Sequence, residues 1–522
     1  MSALGALTSK PMNAIREALS DDRRAALSRR AAQTQLFPAM LTALTAGLGV
    51  AFAAYGFLRW MTPVDTSRAA AEIDVTRVAL SVVAGAGGVV ALVIAYRRQR
   101  DLEQSRFVER FDAAARQLGD VDAAVRIAGV YAMAGIADDS ESPHRQQCID
   151  ALCGYLRLPY DATHGASGRT KQIIKKPRIE NGRVRGEIEE HFEFRQNDKE
   201  VRSTILRVIA DHLMPSAEHS WSASNFDFRT AHLEDVDFSR AIFLGAARFG
   251  STTFFGTARF DSTEFAGDVD FADTMFTGPA RFSYARFLSD AMFHSATFSG
   301  NASFAGVNIS GIARFKKASF ARDAEFYMAK FFSDSWFQEA TFSGDAEFSR
   351  VDFSGNALFD HAKFSCKAIF TYTKFLAETR FQTATFVGSA EFTAVKFSDY
   401  NTWFNSIEFS DIAVFNSALF AGPTWFDDSK FAGTTRFNDA IFQADAWFNN
   451  TKFLTDSSFN RTNFSGSTLF RRASFGTGNI TFANPRRWGP PTPQFDWDDD
   501  VSQKPSNVEP QDWPPLVASG GG

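Results

Sequence analysis

Cysteine is scarce in this sequence, and its scarcity argues against a protein held together by disulfide bonds. Only three of the 522 residues are cysteine, namely Cys148, Cys153 and Cys366. An odd number without Cys-x-x-Cys spacing provides neither an even disulfide framework nor a zinc motif. We therefore expect free thiols in a reducing compartment.

Motifs for catalysis and for cofactors are also missing. The sequence contains no P-loop, no Gly-x-Gly-x-x-Gly fingerprint and no Ser-His-Asp, Cys-His or zinc arrangement. His191 and His212 lack a second histidine or carboxylate at ligand spacing, so both are interpreted as structural or solvated residues. We predict that the protein is not an enzyme and that it has no cofactor.

A strong net charge is lacking as well. The 55 basic residues nearly balance the 60 acidic ones, which leaves a formal charge of −5. This balance gives no electrostatic attraction to nucleic acid, and no nucleic-acid partner is expected.

Two long uncharged runs are present near the N-terminus, at residues 36–58 and 78–96. Each is long enough to cross about 30 Å of hydrocarbon as a helix, and Ala84 and Gly88 would let two such helices pack closely. Arginines precede the first run and follow the second, so the positive-inside rule puts residues 1–35 and the C-terminal region in the cytoplasm. The sequence therefore predicts a multi-pass protein of the inner (plasma) membrane. The alternative is a buried hairpin in a soluble protein.

Residues 97–220 have apolar positions at helical spacing, and they form a predicted α-helical region. Helices are expected near 101–118, 122–137, 143–157 and 201–214. The polar stretch 160–200 is predicted to be a loop. Its basic cluster, Lys171 to Arg178, is interpreted either as a contact for anionic lipid or as a solvated loop.

Phenylalanine is the residue in excess, with 56 copies against nine tyrosines and nine tryptophans. From Phe243 to Phe475 a large apolar residue recurs at alternating steps of six and five, with one inserted residue between Phe397 and Phe404, and Phe482 follows one residue late. Of these 44 positions only Ile309 is not phenylalanine. No α-helix or coiled coil has this period.

The residue two positions before each phenylalanine is mostly alanine or another small residue, and the one between them is mostly polar. This alternation predicts a very short strand with two inward side chains. The six-residue steps often contain Gly-Asp or Gly-Asn, as in FSGDAEF and FSGNALF, which supplies the chemistry of a turn. Each step therefore corresponds to one short strand and one corner.

With this unit the chain resembles the pentapeptide-repeat family, and its segment 101–214 resembles the helical region that accompanies such repeats in membrane-associated bacterial members of that family. The resemblance implies an all-β, right-handed quadrilateral β-helix over residues 221–483, with coils of about 22 residues. The Pro-rich and Asp-rich segment 484–522 is predicted to be disordered. Its alternative is a cap over the open end of the solenoid.

Outward positions must carry the function, because the phenylalanines are core. A column at 22-residue spacing forms the candidate protein-binding stripe, consisting of Trp336, Leu358, Trp403, Trp425, Trp447 and Leu469. A tolerated tryptophan copied by repeat duplication, or one covered by another segment, is the alternative interpretation.

We predict a membrane-anchored scaffold that presents a rigid β-solenoid to an unidentified protein partner. One alternative is an oligomeric membrane-structural spacer, in which the two spans associate as a homo-oligomer. Another alternative is a DNA mimic that binds a topoisomerase, as some members of the pentapeptide-repeat family do. That alternative requires a strongly acidic rod, whereas residues 221–482 hold 28 acidic and 23 basic residues.

Overall fold

The structure, a computed structural model, describes residues 70–160, 171–180, 183–193 and 198–518, together with eight single residues between 45 and 61. The chain divides into two compact units, residues 1–109 and residues 110–522. Segment 1–35 and most of the predicted span 36–58 lie outside the described residues.

Helix α1 (Ala70–Leu118) contains the second predicted span and the predicted helix 101–118 in one continuous element. Within the described ranges no helix combines the length and the apolar character that crossing a membrane requires. The two predicted spans therefore find no support in the structure.

Three more helices confirm the predicted helical region. They are α2 (Ala123–Asp138), α3 (His144–Leu156) and α4 (Asp198–Leu213). Asp122 caps α2 by accepting a hydrogen bond of 2.8 Å from the backbone N–H of Ala124. Gly129 lets α2 approach the end of α1, since a Cβ atom there would lie 2.7 Å from the backbone nitrogen of Leu118.

The loop predicted for residues 160–200 was wrong over two stretches, because β1 (Lys171–Glu180) and β2 (Arg183–Glu193) form an antiparallel hairpin. β-Branched residues in the stretch favour strands, and opposite charges face each other across the ribbon. Lys176, for example, lies 2.8 Å from Glu190. The charged composition concealed this pattern in the sequence.

The repeat region folds into a parallel β-solenoid with four sheets. We call these sheets faces 1 to 4, in the order in which the chain reaches them from residue 247 onward. Face 1 has thirteen strands, from Phe226–Asp227 to Gln494–Phe495, and the other faces have twelve strands each. Face 2 runs from His232–Glu234 to Ser474–Phe475, face 3 from Ala258–Arg259 to Val508–Glu509, and face 4 from Ile242–Phe243 to Arg487–Trp488.

Nearly every strand is a dipeptide that pairs in register with the equivalent strand of the next coil, as Val269 pairs with Ala291. The spacing of these partners along the chain confirms the predicted coil length. The stack of about twelve coils confirms the predicted solenoid. Its right-handed sense stays a prediction.

Stacked phenylalanine rings fill the interior. Rings on the same face lie parallel, with centroids 4.7 Å apart for Phe359 and Phe381, whereas rings on opposite faces meet edge to face, as for Phe359 and Phe370 at 5.7 Å. Both geometries suit the aromatic quadrupole. The alanine or threonine that precedes each ring by two residues is also buried. The core therefore repeats one contact set in each coil.

The corners are of two kinds. After faces 1 and 3 the chain turns through a residue with positive φ, such as Ser417 at 56°, and Ser406 and Asp428 adopt the same conformation at the preceding and following corners of this kind. After faces 2 and 4 the six-residue steps often carry glycine, because the coils come too close for a side chain: a Cβ on Gly433 would lie 2.4 Å from the carbonyl carbon of Asp411. The turn role predicted for Gly-Asp and Gly-Asn is thus explained by close stacking.

Both ends of the phenylalanine core are covered. Trp221 is fully buried at the N-terminal end, where its indole N–H donates to Asp138 over 2.8 Å and its ring stacks on His212 at 4.0 Å. Arg202 on α4 donates to the carbonyl oxygen of His232 over 3.0 Å. These polar contacts join the helices to the first coil.

The C-terminal end shows that the disorder predicted for the tail was wrong for residues 484–518. Three further strands continue faces 4, 1 and 3 at Arg487–Trp488, Gln494–Phe495 and Val508–Glu509. The ring centroids of Trp497 and Trp513 lie 5.6 Å apart. The ring of Trp497 lies 5.4 Å from that of Phe475, and the ring of Trp513 lies 5.0 Å from that of Phe495. The tail therefore closes the solenoid, as the alternative proposed.

Candidate interaction surface

Each strand on faces 1 and 3 offers one outward side chain between two buried ones. In the segment Ala446-Trp447-Phe448, for example, the alanine and the phenylalanine are buried and the tryptophan points outward. Because successive side chains of a strand alternate, the outward residues of successive coils form columns along the rod. Such columns are the regular surface that the repeat provides.

All six residues predicted for the stripe lie in one column of face 1. Strand pairing joins Trp336 to Leu358, Trp403 to Trp425, Trp425 to Trp447, and Trp447 to Leu469. Arg380 completes the series between Leu358 and Trp403, in the coil that the inserted residue lengthens. We call these seven residues, Trp336 to Leu469, the tryptophan column; they span about 29 Å at 4.8 Å per coil.

The indole rings of the column pack on one another. Trp403 and Trp425 have centroids 3.9 Å apart and planes inclined by 8°, and Trp425 and Trp447 are 4.7 Å apart and inclined by 11°. All three side chains are half-buried. Both flat faces of Trp425 are therefore covered, and the column presents ring edges to solvent.

Ion pairs flank the aromatic part of the column. Arg314 lies over Trp336, 5.2 Å from the ring centroid, and donates to Asp290 over 2.7 Å. Partial burial works to raise the pKa of Asp290, but hydrogen bonds from the backbone of Ile312 and from Arg314 outweigh it and hold the pKa below its ordinary value. These contacts keep Arg314 in place beside the tryptophan ring.

A second row of polar residues runs beside the column, at the corner between faces 1 and 2. We call it the amide row; it consists of Gln338, Asp360, Gln382, Asn405, Asp427 and Asn449. Each member lies two residues after a member of the column. The row is not among the residues predicted from the sequence, although its members have the same 22-residue spacing as the column.

Several polar atoms of these two rows have no hydrogen-bond partner among the described residues, although they are buried. They are Nε1 of Trp403, Oε1 of Gln338, Oδ1 of Asp360 and Oδ1 of Asn405. The three acceptors belong to residues that line an open groove of about 520 Å³. Buried polar groups are normally paired, so this stretch contains one donor and three acceptors whose hydrogen bonds are not made within the described chain.

Burial also affects the charge of the amide row. Loss of hydration raises the pKa of Asp360, and the nearby Arg380 opposes that effect. Burial likewise raises the pKa of Asp427, against the hydrogen bonds that Asn449 donates. The groove thus holds carboxyl groups that resist ionisation more than an exposed aspartate does.

Other reactive residues do not form a second site. No group of three histidine, cysteine or carboxylate side chains in the described part of the chain could hold a metal ion. The three cysteines are free, and burial raises the pKa of Cys148 to about 11 and that of Cys153 to about 12. His212 stacks on Trp221, and His191 lies 3.4 Å from Glu189 in the hairpin.

Comparison with known families agrees with the architecture. A family model described as pentapeptide repeats (nine copies) matches residues 228–275, 260–308, 304–352 and 404–452. No curated protein and no solved structure matches the chain. The matched segments all lie inside the four-sided solenoid.

Proposed function

Because the solenoid is built of pentapeptide repeats, we propose that this protein is a rigid, non-enzymatic scaffold that binds a protein partner along the tryptophan column and the amide row. The observation that carries the proposal is the coincidence of a half-buried aromatic column with four unpaired polar atoms in the coils from Trp336 to Asn405. Tryptophan is enriched at the energetic centre of protein interfaces. A partner that pairs these atoms would gain hydrogen bonds that the free rod lacks.

Two variants test this proposal separately. The first replaces Trp403, Trp425 and Trp447 by serine, and the second replaces Gln338 and Asn405 by alanine. The matched control replaces Glu391, Val414 and Arg436 by serine; these residues hold the equivalent outward position on face 3, opposite the column. We expect both test variants to lose a crosslinked partner that the control keeps, with unchanged far-UV circular dichroism. Retention of that partner by both test variants would refute the proposal.

Membrane attachment through residues 36–58 and 78–96 belongs to the proposal as well. It is supported by the lack of charge in both runs and by exposed apolar side chains of α1, including Val89, Leu92 and Tyr96 at 64%, 74% and 68%. We expect the protein to stay with the membrane fraction after alkaline carbonate extraction and a Leu92→Lys, Val93→Lys variant to be released. Release of the unchanged protein would refute attachment and leave the scaffold proposal intact.

A further inference from the structure

The exposed apolar side chains of the solenoid are concentrated around one face, and it is not the face of the tryptophan column. Thirteen large apolar side chains are exposed in the described residues between 226 and 482, and nine of them lie at the two corners that border face 4. The nine are Leu244, Tyr284, Leu288, Tyr327, Met328, Phe332, Tyr372, Leu376 and Tyr400. Concentrated exposed apolar surface marks an interaction site.

Bulky residues at these corners appear in every second coil. At the corner before face 4, Tyr284, Met328 and Tyr372 follow one another at intervals of two coils, and the coils between them carry Gly306 and Arg350. The ring of Tyr284 leans over Gly306, since a Cβ there would lie 2.6 Å from Cδ1 of the tyrosine.

The corner after face 4 has the same alternation. Leu288, Phe332 and Leu376 are also two coils apart, with Ser310 and Ser354 in the coils between them. The edge after face 4 therefore consists of bulky ridges about 10 Å apart with notches between them. At the edge before face 4 the coils between the bulky residues are covered instead, by the Tyr284 ring over Gly306 and by Arg350, whose guanidinium lies 5.7 Å from the ring centroid of Tyr372.

We propose that face 4 is the interface of a homodimer in which two rods lie antiparallel, face 4 against face 4. The two-fold axis lies in the interface, perpendicular to the rods, between the strands Asn308–Ile309 and Lys330–Phe331. Such an axis reverses the order of the coils but keeps each corner opposite the same corner of the second copy.

In this arrangement every ridge after face 4 meets a serine or an alanine of the other copy. Before face 4, Tyr284 lies opposite Arg350 of the second copy, Met328 opposite Gly306, and Tyr372 opposite Ser262. After face 4, Leu288 lies opposite Ser354, Phe332 opposite Ser310, and Leu376 opposite Ala266. Of the three remaining residues, Tyr327 lies beside Met328 in the same corner, and Leu244 and Tyr400 face each other. Shifting the rods by one coil would bring ridge against ridge.

The outward charges of face 4 are complementary in the same register. Glu264 lies opposite Lys374 of the second copy, Arg286 opposite Asp352, and Asn308 opposite Lys330. Within one chain these residues already form the ion pairs Arg286–Glu264 and Lys374–Asp352, each with 3.0 Å between nitrogen and oxygen. A shift by two coils toward the C-terminus would place Arg286 opposite Lys396. Opposite charges on face 4 and small residues opposite the ridges after face 4, both in this register, are the basis for identifying the occupant of face 4 as a second copy of this chain.

The interface is of modest size. Six coils span about 29 Å, and the four residues from one corner to the next span about 13 Å, which gives a footprint on the order of 400 Å² per copy. Stable interfaces bury about 800 Å² per partner. We therefore expect a dimer that dissociates on dilution.

A charge-swap experiment tests the register. The full-length protein and the variants Arg286→Asp, Asp352→Arg and the double variant are compared by sedimentation velocity over a range of concentrations. Each single variant places like charges opposite each other twice in the dimer, so we expect its self-association to weaken about tenfold or more. The double variant should recover to within about threefold of the unchanged protein. Within one chain the two residues are three coils apart, so recovery reports contact between copies.

A second variant tests the ridges. Met328→Asp with Phe332→Asp should abolish dimerisation, whereas the control Val387→Asp with Ile412→Asp should not, because these residues, which are also exposed, lie at the corner between faces 2 and 3. Circular dichroism confirms that each variant is folded. A monomer at all concentrations, equal weakening in the control, or failure of the double charge swap to restore association would each overturn the proposal. None of these outcomes depends on the tryptophan column.

Discussion

One phenylalanine contributes to the solenoid through the rings above, below and beside it. Phe359 is fully buried and stacks on Phe337 at 4.8 Å and on Phe381 at 4.7 Å. Because each ring has neighbours on both sides, its removal affects three coils at once.

Replacing Phe359 by alanine should lower the free energy of unfolding by about 3–5 kcal/mol, from lost burial and the cavity left behind. Phe359→Leu should cost less, since most of the volume stays filled, and Ile309 shows that a branched aliphatic side chain is accepted at one position. Urea denaturation checks both values. Equal losses for alanine and leucine would mean that ring stacking, and not volume, dominates.

Asp360 provides a prediction about pH. Its pKa in the folded protein is raised above the ordinary 3.8 by burial, so the folded state binds the proton more tightly than the unfolded state. Stability from this group is therefore complete below pH 3.8 and is lost as the pH rises through the folded pKa. Asp360→Asn should raise the melting temperature by about 1–2 °C at pH 7, and the difference should vanish near pH 3.5. A constant difference across this range would contradict the assignment.

At the scale of strands and corners, the two kinds of corner make opposite demands on side chains. Ser417 has a φ of 56°, a conformation that is costly for residues other than glycine. Gly433, at a corner of the other kind, has no room for a Cβ because the carbonyl group of Asp411 is too close.

Ser417→Gly should therefore stabilise the protein by about 0.5–1 kcal/mol, since relief of the left-handed conformation exceeds the extra entropy of unfolded glycine. Gly433→Ala should destabilise it by about 1–3 kcal/mol, because coil stacking must open to admit the methyl group. Thermal unfolding of the two variants gives both signs. A loss of stability in Ser417→Gly would show that the corner is not strained.

Most strands and corners of the solenoid could be predicted from the sequence, because one repeat spacing determines the positions of the strands and corners and the length of the coil. The 22-residue period alone predicts that Trp403, Trp425 and Trp447 lie on one face. It could not give the stacking of their rings, which depends on side-chain rotamers. The hairpin at Lys171–Glu180 was missed because charged residues dominate its composition.

The last coil was missed for a different physical reason. Its strands at Arg487–Trp488 and Gln494–Phe495 lack the small residue and phenylalanine spacing of the repeat, and Pro-rich, acidic composition is typical of disorder. Trp497 and Trp513 nevertheless bury enough ring surface against Phe495 to order the segment. The prediction of disorder rests on the overall composition of the segment, which does not reveal the packing of these individual aromatic residues.

For the whole molecule, the two covers decide how the rod unfolds. Each coil contacts only its neighbours, so an uncovered end would fray coil by coil. Trp497→Ala with Trp513→Ala should accelerate amide hydrogen exchange in residues 470–510 about tenfold or more while exchange in residues 300–400 is unchanged. Mass spectrometry of exchanged peptides resolves the two regions. Acceleration along the entire rod would instead indicate that the solenoid opens as one unit.

Because different segments cover the two ends, the middle of the rod is interchangeable in units of one coil. Removing residues 335–356 joins Asp334 to Ala357, which then takes the place of Ser335, its equivalent on face 1, as the pairing of Ser335 with Ala357 shows. Every such deletion or duplication would change the distance between the two covers by about 4.8 Å and leave both covers intact. The length of the rod can therefore be adjusted in fixed steps of one coil, by natural duplication or deletion of repeats or by protein engineering.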